Sequence, residues 1–150
     1  MDFERQTLRA GLEAAGFDFA APAVFSWIGV TMYLTDAAIR AMLATIASCP
    51  VGTQVVVTYI VPQSTLGGLG LTIETTLRRI VAELGEPMIS LFEPAEIERL
   101  LRELGFGEIV HVGPEEAIRT YFAGRPEVRF GGAERLVVAA VAEKRAAADS

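Results

Sequence analysis

Phe25-Ser26-Trp27-Ile28-Gly29-Val30-Thr31-Met32-Tyr33-Leu34-Thr35 is the stretch that decides the fold. It opens as an apolar run rich in aromatic and β-branched residues. It breaks at a glycine, and then passes through Met-Tyr-Leu to a threonine suited to cap a helix. That is a strand, a loop and a helix start. In open α/β sheets, ligands gather at strand ends of this kind. The strand, read as residues 23–28, is nearly continuous in apolar residues, as in a strand buried on both faces.

Working outward, residues 4–15 read as a helix, with Leu8, Leu12 and Ala15 on one face and Gly16 as its stop. After the opening stretch, Thr35 caps a helix whose stripe is Ile39, Met42, Leu43 and Ile46, with Asp36 placed to suit the helix dipole. Residues 53–61 are the clearest strand, closed by Pro62. Residues 63–70, Gln-Ser-Thr-Leu-Gly-Gly-Leu-Gly, read as a mobile connector, a lid or hinge. They lack the spacing of a phosphate-binding loop.

Ile73, Leu77, Ile80, Val81 and Leu84 define the next helix, stopped by Gly85. Glu93-Pro94 opens another, with Ile97, Leu100, Leu101 and Leu104 as its stripe and Gly105 as its stop. A short strand at 107–112, a short helix around Ala117 to Phe122, and a last strand at 135–142 follow. The alternation points to an α/β fold with a largely parallel sheet. Residues 1–142 read as one domain, and 143–150 as a fraying tail.

The 150 residues suit a single domain, and 51% of them are hydrophobic. Such a bias fits strands covered on both faces or surfaces meant for a partner. The net charge of −6 argues against non-specific nucleic-acid binding and against an anionic membrane surface. One cysteine, Cys49, excludes an internal disulfide. With a single histidine, His111, it also excludes a usual structural zinc site. No apolar run is long enough to span a membrane, and the amino terminus has no apolar signal core. The expected location is the cytoplasm.

Few side chains announce chemistry by themselves. His111 reads as a strand residue without partners, and Cys49 as a small buried apolar group. Arg125 and Arg135 either meet a substrate carboxylate or, as the preferred reading, form structural salt bridges with Glu127 or Glu134. Glu115 and Glu116 read as charges in a helix first turn.

The opening stretch resembles the fourth-strand motif of the leucine carboxyl methyltransferase-like family, which are class I S-adenosylmethionine-dependent methyltransferases. Four further stretches agree in order: Gly85-Glu-Pro-Met-Ile-Ser-Leu-Phe-Glu-Pro94, Leu101-Arg-Glu-Leu-Gly-Phe106, Tyr121-Phe-Ala-Gly-Arg125 and Gly131-Gly-Ala-Glu-Arg-Leu136. The resemblance implies a Rossmann-like sheet of order 3-2-1-4-5-7-6 with strand 7 antiparallel. This chain matches strands 4 to 7, its C-terminal half, without the glycine-rich cofactor loop that follows strand 1.

The resemblance further implies S-adenosylmethionine as cofactor of the complete enzyme and a small-molecule or carboxylate methyl acceptor. It places Asp2 and Phe3 at the adenine, the carboxylate accepting from the amino group and the ring packing beside it. An ordinary helix cap followed by a packed Phe is the other reading of that pair. Gly29 permits close backbone approach to the cofactor. Ile28 stands where many members carry a glutamate, so that polar contact is lost. Tyr33 lines the substrate pocket or packs as an amphipathic residue, the two readings standing equal.

Two functional readings follow. One is methyl transfer to a carboxylate or hydroxyl oxygen. The other is a non-catalytic half-domain that binds a partner. In either case the strand at 23–28 has an open edge where strand 1 would pair. That edge predicts a homodimer or association with the missing N-terminal half.

Overall fold

The structure, a computed structural model, describes residues 7–125, 127 and 132–143. Four strands form one sheet: β1 (Val24–Trp27), β2 (Gln54–Ile60), β3 (Phe106–Val112) and β4 (Glu134–Val141). Their order is β1-β2-β4-β3, with β1 parallel to β2 and β4 antiparallel to both its neighbours. This is the 4-5-7-6 order the resemblance implies, antiparallel strand included. The strands fall within a residue of their expected bounds.

Helices α1 (Leu8–Ala14), α2 (Asp36–Ala47), α3 (Gly68–Glu83), α4 (Pro94–Leu104) and α5 (Pro114–Tyr121), with 3-10 turns at Thr31–Tyr33 and Gln63–Thr65, complete the described elements. α2 forms as its sequence dictates. The Thr35 hydroxyl accepts from the Ala38 N–H, and Ile39, Met42, Leu43 and Ile46 are all buried. α4 is bounded at both ends. A capping box links Glu93 and Glu96, and Gly105 closes the helix in the left-handed region at φ 103°. Its Ile97, Leu100 and Leu101 are buried.

The two faces of the sheet differ. Phe25, Trp27, Val55, Val57, Tyr59, Val137 and Ala139 point to one face and join the core with α2 and α4. Register puts Val24, Val56, Val110, Val138 and Ala140 on the opposite face. There Val24 is 70% and Val110 50% exposed, and Val56, Val138 and Ala140 are half-buried. The strands are therefore apolar on both faces, as their continuous runs predict; α2 and α4 cover one, while the other is buried at Thr58 and Ile60 and open at Val24 and Val110. Among the described residues no strand pairs with the outer edge of β1.

One expectation needs correction. Residues 63–70 are not a plain connector: Gln63–Thr65 form a 3-10 turn and α3 already begins at Gly68. The expected helix forms, but its stripe is not core. Leu77 and Ile80 are exposed, and the residue α3 buries is Glu74, at 3% exposure. Glu74 faces Arg78 at 3.5 Å, and Arg78 donates to the Met88 carbonyl. Burial pushes the Glu74 carboxyl up, against the pull of Arg78. α3 is thus tied to the body by polar contacts.

Candidate functional site

The site forms where β1 ends. Trp27 is buried, Ile28 turns out to solvent, and Gly29 takes φ 71°, a conformation that L side chains rarely adopt. The Gly29 N–H donates to the Thr58 hydroxyl at 2.8 Å, which fixes the turn to β2. No atom lies within 4 Å of the position a Cβ would take at Gly29, so the backbone there is open to approach.

A 3-10 turn, Thr31–Tyr33, then leads to the Thr35 cap. The loop after α3 clamps this turn. Ile89 and Ser90 donate their N–H groups to the Met32 carbonyl at 2.8 and 3.2 Å, and the Ser90 hydroxyl donates to the Leu34 carbonyl. The stretch from Gly85 to Pro94 therefore serves the turn through the backbone of Ile89 and Ser90 and through the Ser90 hydroxyl. Thr31 is fully buried, and neither its hydroxyl nor the Trp27 indole N–H has a hydrogen-bond partner among the described residues. Tyr33 is half-buried and packs against the core cluster.

Thr58 also lines a cavity of about 310 Å³ with Val112, Pro114, Tyr121, Arg135 and Leu136. The cavity is mainly apolar, and it sits at the carboxyl ends of β2 and β3 beside the Gly29 turn. Thr58 escaped the sequence reading. Its signal was present: it is the polar residue in the run Val55-Val56-Val57-Thr58-Tyr59-Ile60, near the strand's carboxyl end.

Other candidates fall outside this arrangement. Asp2 and Phe3 lie outside the described residues. His111 has partners after all: the Tyr59 hydroxyl is 3.2 Å from its Nδ1, and Glu98 is 3.5 Å from its Nε2. Burial pushes the Tyr59 hydroxyl up to about 12, with Arg135 acting in the opposite sense. This chain of groups lies under α4, on the face away from the cavity.

Cys49 is buried and free, and burial raises its thiol pKa. Arg125 pairs with Glu127 at 2.5 Å, as expected. Arg135 differs: its guanidinium donates to the carbonyls of Gly132 and Glu134, both at 2.9 Å. Glu115 and Glu116 occupy the first turn of α5, where Glu116 pairs with Arg119. Among the described residues no three His, Cys, Asp or Glu side chains group to hold a metal ion, and no helix is long and apolar enough to cross a membrane.

The leucine carboxyl methyltransferase family model matches residues 1–47. Comparison with curated protein sequences gives no significant match. Among solved structures, a DUF574 family protein from Streptomyces avermitilis superposes with a TM-score of 0.62 at 18% identity, covering 93% of this chain and 52% of that one. A Bordetella parapertussis protein gives 0.56 at 14% identity over 80% and 39%. A SAM-dependent methyltransferase from Thermotoga maritima gives 0.50 at 12% identity over 78% and 54%. The chain thus spans between 39% and 54% of the lengths of these three structures. The family match over the opening third and the shared Rossmann-like fold bear out the resemblance to the leucine carboxyl methyltransferase-like, class I methyltransferases.

Proposed function

We propose that this chain supplies the acceptor side of a cytoplasmic enzyme that transfers a methyl group from S-adenosylmethionine to a carboxylate or hydroxyl oxygen of a small molecule. The observation that carries this reading is the Gly29 turn. It stands at the carboxyl end of a parallel strand, held by Thr58, in a sheet of order β1-β2-β4-β3. The family match over residues 1–47 supports it.

The described residues fit one wall of the cofactor. The open backbone at Gly29 receives it, whereas Ile28 offers no hydrogen-bond acceptor there. By the resemblance, Asp2 and Phe3 would meet its adenine. When bound, the cofactor supplies an electrophilic methyl group on a sulfonium. The chain's own contribution is to place the acceptor and exclude water. The cavity beside Thr58 takes the acceptor's apolar body, with Tyr121 and Arg135 on its walls; by the resemblance, Tyr33 in the turn after Gly29 would line the substrate pocket. An ionised carboxylate needs no general base, so positioning and desolvation suffice.

The glycine-rich loop would come from another segment. That segment would pair along the open edge of β1 and cover Val24 on the face it shares with the half-buried Val56 and Val138. A second reading rests on the same edge: residues 1–142 act as a non-catalytic unit that pairs with another copy through β1. Exposed apolar edges favour such pairing.

Co-expression with a glycine-loop segment from a leucine carboxyl methyltransferase-like protein separates the readings. The enzymatic reading predicts a complex that moves labelled methyl groups to a small acceptor, and loss of transfer in Gly29→Val with the complex retained. A stable complex inactive towards a broad acceptor panel, and unable to retain S-adenosylmethionine, would leave the non-catalytic reading.

A further inference from the structure

The outward stripe of α3 has a pattern of its own. Leu69, Ile73, Leu77, Ile80 and Leu84 recur at spacings of four, four, three and four. At helical pitch they fall within about 80° of one another. They are 44–75% exposed, with the two ends most open. Thr72, Thr76, Arg79 and Glu83 form a polar flank along one side, and the other side is the one that buries Glu74.

The spacing reads almost the same from either end. Lay two copies of α3 antiparallel about a two-fold axis passing between Thr76 and Leu77. Leu69 then faces Leu84 of the second copy, and Ile73 faces Ile80 of the second copy. The two Leu77 side chains flank the axis. Along the polar flank Thr76 meets Thr76 of the second copy, while Arg79 comes level with position 74 and Glu83 with Gly70, so no like charges meet; Glu74 itself is buried on the far side and takes no part. Such self-complementarity is what a two-fold contact requires. The stripe offers on the order of 500 Å² of exposed apolar side chain per copy, hence about 1,000 Å² across the contact, the size at which specific interfaces begin.

We infer that α3 is the docking surface for a second copy of this chain, through an antiparallel helix pair. This contact is distinct from any pairing along β1 and does not depend on the proposed methyl transfer.

Sedimentation and cysteine cross-linking test it together. The chain is expected to sediment as a dimer in the micromolar range. The double variant Ile73→Glu with Ile80→Glu is expected to be monomeric with an unchanged circular-dichroism spectrum. Under mild oxidation Thr76→Cys should form a disulfide-linked dimer, because the two positions meet at the axis. Glu83→Cys should not, because its two positions lie about 20 Å apart along the helices. Cys49 is buried, so the parent chain is the control. A monomeric parent, a double variant that stays dimeric, or equal cross-linking at 76 and 83 would each overturn the inference.

Discussion

α3 and α4 are both amphipathic helices that follow β2, and the protein treats them in opposite ways. α4 buries Ile97, Leu100 and Leu101 against the sheet and sends its charges outward. α3 buries Glu74 and leaves Leu69, Ile73, Leu77, Ile80 and Leu84 open. The difference teaches that an apolar stripe specifies a face and not what covers it. α4 leads directly into β3 and has the sheet to cover. α3 is linked through Arg78 to the loop that clamps the Gly29-to-Thr35 turn, with its stripe turned aside.

The sharpest way to break this comparison is truncation of one leucine in each helix. Leu101→Ala should lower stability by about 3 kcal/mol in urea titrations, because a fully buried side chain leaves a cavity. Leu77→Ala should cost less than about 1 kcal/mol at concentrations where the chain is monomeric. Equal losses would mean that α3 is packed as α4 is.

The next effect concerns the group beneath α4. The Tyr59 hydroxyl is raised to about 12 in the fold, from 10.0. The folded state therefore holds this proton more tightly than the unfolded state does. Its contribution is fully present below pH 10 and is lost as pH rises towards 12, by up to about 3 kcal/mol. Tyr59→Phe should remove that alkaline loss, measured as the pH dependence of the urea midpoint. The variant's retention of the full alkaline loss would contradict the assignment.

At the site, Thr58→Val removes the acceptor for the Gly29 N–H. The expected cost is about 1 kcal/mol, with faster hydrogen exchange at Gly29 and little change within α4. Unaltered exchange at Gly29 would show that the turn does not depend on Thr58.

The smallest effect lies in α3. Burial raises the Glu74 pKa, so the folded state takes up its proton more readily as pH falls. The wild type should gain stability relative to Glu74→Gln as pH drops through the raised value towards the ordinary 4.5. A relative loss on acidification would place the Arg78 pairing above burial as the dominant influence.

The elements were largely legible because their signals are local. Thr35, Gly105 and Pro94 mark helix ends, and continuous runs such as Val55-Val56-Val57 mark strands. The order of the strands needed the resemblance, since periodicity carries no information on which strand lies beside which. The site was legible at Gly29, where a glycine follows an apolar run. It was not legible at Thr58 or in the clamp from Ile89 and Ser90 to Met32, which join positions distant in sequence. The environments of Glu74 and His111 escaped for a related reason. The i,i+4 spacing of Glu74 and Arg78 was legible, but the burial of Glu74 depends on how α3 seats, and the contacts of His111 with Tyr59 and Glu98 join positions distant in sequence.

The central claim is that this chain provides one wall of a cofactor site and needs a second segment for the rest. Calorimetry with S-adenosylmethionine tests it most directly. The account predicts no micromolar binding by the chain alone and binding once a glycine-loop segment is supplied. Micromolar binding by the chain alone would contradict it.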